Sequence, residues 1–343
     1  MNLNAKFILS EKKAIEYYEK AKEHSDVVSY SFKTNTVVGK VLEKKTDSMF
    51  SIHYIDSLKN LNNKSRILFF LQAATKKEFD ELFGLGISWF VVDNLTDLDS
   101  LTDYISKNNK KITLFLRMRL KEHTVQTGKH FVYGLFSEQV NRLLPILREN
   151  KNIEKVGIHF HRKTQNTSEW GIKEEFIESI KPQNLKNIDY VNIGGGLPSV
   201  YKNYGNDLIE PIFKKINDFK AFLNINKIKM IIEPGRFIAA PAMSLQANIT
   251  GIYNDTIIIN ASVFNSAMDT FIANIRLLVD GELKSGIAYT IKGCTPDSMD
   301  IFRYKVFLDN PKVGDKIVFL NAGAYNFSCD FCSLPKLKTI IIE

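Results

Sequence analysis

The sequence predicts an α/β protein: a (β/α)8 barrel followed by a smaller β domain. Three observations lead there. Eight short, almost continuously apolar runs recur between residues 27 and 235, the pattern of strands buried on both faces of a parallel sheet. Helix-like stretches fill the gaps between them, and eight such units over about 215 residues match a TIM barrel in count and size. After about residue 245 the long helical patterns stop and short strand-like runs with turns follow, as in a β-barrel or sandwich domain.

The eight runs are VVSYSF (27–32), MFSIHY (49–54), RILFFL (66–71), WFVVD (89–93), ITLFLRM (112–118), KVGIHFH (155–161), YVNIGG (190–195) and KMIIEPG (229–235). Helices are expected over 75–86, 94–108, 137–150, 168–180 and 209–223, with Thr75, Asn94, Ser137 and Ser168 as N-caps. In the second domain the runs are SLQANITGIYN, TIIIN, LLVDGEL, YTIKG, KVFLD and KIVFLN, with "VDGE" and "NPKVGD" as turn signals. The segment KFILS (6–10) is a further strand for it. The expected division is a barrel over 11–245 and a C-terminal β domain over 246–343 that takes in 1–10.

Composition narrows the function. The chain has 343 residues, 44% hydrophobic and 24% charged, which is ordinary for a soluble globular protein and ample for a sizeable core. No apolar stretch reaches the roughly 18 residues of a membrane span. The first twenty residues turn charged too soon for a secretory signal, so the expected location is cytoplasmic and membrane partners are not expected. The net charge of +8, from 46 basic and 38 acidic residues, is scattered along the chain with acids between the lysines. That describes a solvated surface, and nucleic acid is not an expected partner. Of the cysteines Cys294, Cys329 and Cys332, the last two form a C-x-x-C pair. Zinc would need a second ligand pair, and no matching pair occurs, so no metal is expected.

In such barrels chemistry gathers where strands end. The residues at those ends are Lys33, Arg117, His161, the triplet Gly194, Gly195 and Gly196, and Glu233 with Arg236. A glycine triplet after a buried strand can cradle a phosphate with its N–H groups, or can simply make a tight turn. Glu233 could face a protonated ring nitrogen, with Arg236 adding charge toward a phosphate; the alternative is a capped strand end. A lysine at a buried strand end has a lowered pKa and is nucleophilic, unless it reaches solvent. His159 and His161 share a strand face; one can be a core histidine while the other stacks on a flat ring.

Taken together and in order, these motifs resemble those of the fold-type III pyridoxal phosphate (PLP) decarboxylases, the group of ornithine, diaminopimelate and biosynthetic arginine decarboxylases. The Y-A-V-K-A-N motif reads here as Tyr30-Ser31-Phe32-Lys33-Thr34-Asn35, and H-x-G-S-Q reads His161-Arg162-Lys163-Thr164-Gln165. G-G-G is Gly194–Gly196, E-P-G-R is Glu233–Arg236, and G-A-Y is Gly323-Ala324-Tyr325. The resemblance implies an alanine racemase-like barrel with a C-terminal β domain, and a head-to-tail homodimer with shared active sites. It implies Lys33 as the Schiff-base lysine, His161 stacked on the ring, and Glu233 paired with the pyridine nitrogen. Gly194, Gly195, Gly196, Gly235, Arg236, Tyr325 and Thr164 would hold the phosphate, and Arg117 corresponds to a barrel-lining arginine.

The chain departs from the family at its substrate motif, G-P-T-C-D/E-S-x-D. Here it is Gly293-Cys294-Thr295-Pro296-Asp297-Ser298-Met299-Asp300. Pro296 replaces the cysteine that helps protonate the carbanion, which leaves Cys294, another acid or water for that step. Asp297, with Ser298 beside it, is retained to hold a distal ammonium group from the other subunit. In 260–278 a gapless reading puts Ile272 and Ala273 at the Tyr-Asp pair of ornithine decarboxylases, and Met268 at the arginine of diaminopimelate decarboxylases; a shifted register brings in Asp269 or Arg276. Lys163 stands at the family's glycine. The expected activity is α-decarboxylation of a basic L-amino acid of the ornithine, lysine or arginine type to its amine, in polyamine-related metabolism. The alternatives are a diaminopimelate or carboxynorspermidine-type decarboxylase, a racemase, or a catalytically idle regulatory homologue.

Overall fold

A computed structural model describes residues 5–120, 133–205 and 208–343. The chain opens with β1 (Lys6–Ser10) and α1 (Glu11–Glu23). Then come β2 (Val27–Ser31), α2 (Thr36–Lys45), β3 (Met49–Ile52), β4 (Ile67–Phe70), α3 (Lys76–Gly84), β5 (Trp89–Val92), α4 (Leu95–Lys107) and β6 (Ile112–Arg117). They are followed by α5 (Ser137–Glu149), β7 (Ile153–His159), α6 (Ile172–Ser179), β8 (Tyr190–Asn192), α7 (Ile209–Ile225), β9 (Lys229–Ile232) and α8 (Arg236–Ala242). The remainder is β10 (Met243–Tyr253), β11 (Thr256–Ile259), α9 (Val263–Ser266), α10 (Asp269–Ile272), β12 (Leu278–Val279), β13 (Ala288–Lys292), β14 (Ile301–Phe307), β15 (Lys316–Leu320) and β16 (Lys338–Ile342).

Two compact units emerge. One comprises 18–197 and 208–235, the other 1–17, 198–207 and 236–343. In the first, β2 through β9 form a closed parallel barrel in sequence order, with β9 pairing back onto β2. All eight expected strands are present. Their side chains fill the barrel: Leu68, Phe70, Val91, Phe115 and Ile231 form a buried cluster. Gly157 makes room for it, since a Cβ there would stand 2.3 Å from the Phe115 ring.

The helix starts follow capping chemistry, with two corrections. Thr75 closes a capping box with Glu78, and the Asn94 side chain accepts from Asp97 N. Ser137 is not a cap; it is the first residue of α5, and Gln139 Oε1 reaches back to Phe136 N (2.9 Å). Ser168 is not one either, because α6 begins only at Ile172. Asn166 Oδ1 already accepts the N–H groups of Ser168 and Glu169, and folds that segment into a turn.

The second unit is built on a sheet in the order β12-β15-β10-β11-β13-β14, with β1 pairing antiparallel to β10 and parallel to β16. The strand expected at 6–10 is therefore present. The LLVDGEL run shrinks to Leu278–Val279 because a turn begins at Asp280, and KVFLD belongs to a strand that starts earlier, at Ile301. β16 has no counterpart among the expected runs.

Candidate active site

Lys33 sits on a single 3-10 turn, Phe32–Thr34, between β2 and α2. The residues around it explain the turn. Asn35 caps α2, accepting from Val37 N (3.0 Å) and Val38 N (3.2 Å), while Tyr30 Oη donates to Asn35 O (3.0 Å). The same turn is tied to the segment after β9: Ser31 N donates to Pro234 O (3.3 Å). Gly235 is required there, since a Cβ would fall 2.2 Å from Thr34 Oγ1. Lys33 and Glu233 are thus carried on neighbouring, stitched strand ends.

Glu233 is buried, with 4% of its surface exposed. Its Oε1 accepts from Ser51 Oγ (2.9 Å) and Asn192 Nδ2 (2.8 Å), and His159 Nε2 approaches Oε2 at 3.4 Å. Burial alone would push its carboxyl up. The approach of His159, then His161 and His53, pulls it well below the usual range, to about 2. Burial in turn lowers all three imidazoles, His53 and His161 to about 3. The hydrogen bonds from Ser51 and Asn192 act in the same direction, since they favour the ionised form. Burial likewise lowers Lys33, opposed by Glu233 and aided by Arg117. The residue as a whole remains exposed at the barrel end.

His161 lies just past β7. Its Nδ1 accepts from Gly195 N (3.1 Å), so the neutral ring carries its proton on Nε2. The glycine triplet is dictated first by packing. Gly194 and Gly196 have φ of +68° and +100°, and a Cβ on Gly194 would meet Phe160 O at 2.4 Å. A Cβ on Gly195 would meet Glu233 O at 2.8 Å. Two of the three N–H groups have protein acceptors, Gly194 N on Asn192 Oδ1 (2.9 Å) and Gly195 N on His161 Nδ1. Among the described residues, Gly196 N–H has none.

The loop His161–Gln165 is held from below by buried Arg162, whose Nη2 donates to Glu175 Oε1 (2.6 Å), and Thr164 is exposed on it. Arg117 ends β6 and lines a cavity of about 240 Å³ with His53, Gln72, Asp93 and Tyr133 over an apolar floor of Phe70 and Val91.

The remaining expected residues lie in the second unit. Arg236 is buried and forms an ion pair with Asp269, while its Nη1 also donates to Tyr201 Oη (3.0 Å). Its guanidinium stands 5.2 Å from the Tyr325 ring centre. Asp269, which a shifted register would have offered to substrate, is engaged by Arg236. Between β13 and β14, Asp300 is fully buried and accepts from Val263 N (2.8 Å), Thr295 N (3.1 Å) and Thr295 Oγ1 (2.7 Å), which shapes the loop. Asp297 Oδ1 accepts from Met299 N (2.7 Å), and Ser298 is exposed beside it. Burial, then Asp300, pushes the Cys294 thiol up, so it keeps its proton at neutral pH. Cys329 and Cys332 are free, and Cys329 Sγ donates to Phe264 O (3.4 Å). Among the described residues no group of three or more His, Cys, Asp or Glu is placed to hold a metal, and no helix is long and apolar enough to cross a membrane.

Ser51, His53 and Asn192 are site residues that the sequence reading did not single out. The site fits a pyridine aldehyde. Glu233 Oε2 retains capacity for a further donor beyond the long approach of His159, and His159 Nδ1 is a buried polar atom without a partner. A lysine of lowered pKa stands on the turn that follows the adjoining strand. This barrel and site suit a pyridine cofactor beside a lysine. Residues 55–240 match the family model "Pyridoxal-dependent decarboxylase, pyridoxal binding domain", over half of the chain, and the protein belongs to that family. Lys33 lies before the matched span. A probable chloroplastic diaminopimelate decarboxylase from Oryza sativa subsp. japonica is 23% identical over 257 residues. The match covers 69% of this chain but 52% of that relative, so the chain spans about half its length. Two solved structures share the fold. Diaminopimelate decarboxylase from Helicobacter pylori, complexed with L-lysine, has a TM-score of 0.82 at 19% identity, covering 99% of this chain and 92% of that one. Lysine/ornithine decarboxylase from Vibrio vulnificus, complexed with cadaverine, has a TM-score of 0.78 at 21% identity, with 98% and 94% covered.

Proposed function

We propose that this protein α-decarboxylates a basic L-amino acid of the ornithine, lysine or arginine type to its amine, as a cytoplasmic homodimer in polyamine-related metabolism. The observation that carries the reading is the pairing of Lys33 with a buried, hydrogen-bonded Glu233 on adjoining strand ends of one barrel. Lys33 would bond the cofactor's aldehyde carbon. Glu233 would keep a proton on the pyridine nitrogen, and His161 would cover one face of the ring. Gly196 N–H, Thr164 and Gly235, with Arg236 and Tyr325, would hold the phosphate, and Gly194 and Gly195 would shape that turn. Arg117 would line the barrel side. When bound, the cofactor supplies an electron sink for the substrate α-carbon as CO2 leaves.

Asp297, contributed by the partner subunit together with Ser298, would select a positively charged tail. Cys294, protonated at neutral pH, is the thiol available to return a proton where Pro296 has none. A second reading, a diaminopimelate substrate, is favoured by the names of the rice and Helicobacter relatives. Against it, Met268 stands where an arginine for the distal carboxylate is expected. The test is to incubate the PLP-loaded protein with L-ornithine, L-lysine, L-arginine and meso-diaminopimelate and to identify products by mass spectrometry. CO2 with putrescine, cadaverine or agmatine supports the first reading, and lysine from diaminopimelate the second. D-amino acid without CO2 marks a racemase, and no turnover with no cofactor uptake marks a regulatory homologue.

A further inference from the structure

His53 is the first residue beyond β3, so it emerges at the same end of the barrel as Lys33, on the strand paired with β2. Its Nε2 lies 3.4 Å from Lys33 Nζ. The plane of its ring is fixed by neighbouring strands. It stacks on Phe70 at the end of β4, with centroids 4.4 Å apart and planes 7° apart, and Phe70 in turn meets His159 edge-on at 5.1 Å. The charged and titratable groups around it are Lys33, Glu233, His159 and Arg117, and it shares its cavity with Asp93.

An imidazole facing an ammonium group must accept at the facing nitrogen and carry its own proton on the other. We propose that His53 is a positioning residue for Lys33, whose Nε2 accepts an N–H from Nζ and holds that nitrogen toward the cofactor's aldehyde. A neutral acceptor suits this task. A carboxylate in its place would favour the ammonium form and remove the nucleophilic lone pair. With no acceptor, the four rotatable bonds of lysine would disperse Nζ over many rotamers. No motif of the family resemblance includes His53, and the cofactor contacts proposed above do not use it. The inference rests on the reading that Lys33 captures pyridoxal phosphate.

The test uses the full chain stripped of cofactor, as wild type, His53→Phe and His53→Gln. Phenylalanine keeps an aromatic ring for Phe70 without an acceptor, and glutamine restores an acceptor. Two quantities are read: affinity for pyridoxine 5′-phosphate, which has no aldehyde, and the stopped-flow rate at which pyridoxal phosphate becomes covalently attached to Lys33. For His53→Phe, unchanged pyridoxine phosphate affinity is expected, with capture slowed by roughly ten- to a hundredfold, the scale of a misplaced reacting atom. Glutamine is expected to recover most of the rate. Capture by His53→Phe at the wild-type rate overturns the proposal. If His53→Phe loses its near-UV circular dichroism, His53→Leu is read by the same criteria. If wild type itself binds neither compound, the cofactor reading fails, which is distinct from a normal wild type with an unaffected variant.

Discussion

Ser51 Oγ, from β3, donates to Glu233 Oε1 at 2.9 Å across the barrel end, and Asn192 from β8 adds a second donor to the same oxygen at 2.8 Å. Two uncharged donors thus orient the carboxylate while leaving its charge for whatever faces Oε2. Glu233→Gln removes that charge, and its amide oxygen can still accept from Ser51 and Asn192. The expected result is a fall in kcat of roughly 10² to 10³, on the scale of losing a preorganised electrostatic contact. Steady-state kinetics beside a thermal melt check it, the melt being expected to change much less than the rate. Ser51→Ala should be milder, costing roughly 1.5–3 kcal/mol as the loss of a hydrogen bond to a charged group.

Arg236 and Asp269 form a buried pair, with side chains 2% and 7% exposed. Burial opposes the charge on the guanidinium, while Tyr201 and Asp269 outweigh it and raise its pKa; burial raises Tyr201 to about 12. Asp269→Asn leaves a buried cation without its counter-ion and should cost about 3–5 kcal/mol in urea unfolding. Substrate preference should not change, because Asp269 serves Arg236.

His161 has its pKa lowered from 6.5 to about 3, chiefly by burial and then by Arg117. Between those values the unfolded chain binds more protons than the folded one, so stability rises with pH. The contribution is fully present above 6.5 and is lost as pH falls from there toward 3. Glu233, lowered from 4.5 to about 2, acts in the same sense at lower pH. Urea midpoints measured from pH 7 down to 4 should fall, and His161→Phe should flatten the slope.

Asp297 both caps its own loop and carries the charge proposed to read the substrate's tail. Asp297→Asn keeps an acceptor for Met299 N and removes the charge. The kcat/KM ratio for a basic amino acid over a neutral one of similar length should drop by roughly ten- to a hundredfold, the worth of one charged hydrogen bond. An unchanged ratio would remove Asp297 from substrate selection.

The barrel was legible because strands buried on both faces leave continuous apolar runs, RILFFL above all. Lys33 and Glu233 stand out as charges at the ends of such runs, but the runs alone leave a solvent-reaching lysine and a capped strand end open, and only the ordered family motifs join the two. Reading runs by hydrophobicity also extended them too far. MFSIHY absorbed His53 into a strand that ends at Ile52, and so concealed a residue beside Lys33. Ser51 and Asn192 are small polar residues inside strands, and nothing local separates a carboxylate donor from an ordinary satisfied core group. The Arg236–Asp269 pair joins positions 33 residues apart, a relation that periodicity does not carry. Ser168 failed as a cap because Asn166, two residues earlier, offered the turn a better acceptor.

The most direct measurement is to load the protein with pyridoxal phosphate, reduce it with borohydride and map the modified peptide by mass spectrometry. A single phosphopyridoxyl group on Lys33, absent from Lys33→Ala and formed at reduced yield in Glu233→Gln, is the expected result. Modification spread over surface lysines, or the same adduct in Lys33→Ala, would contradict the assignment of this barrel end as the cofactor site.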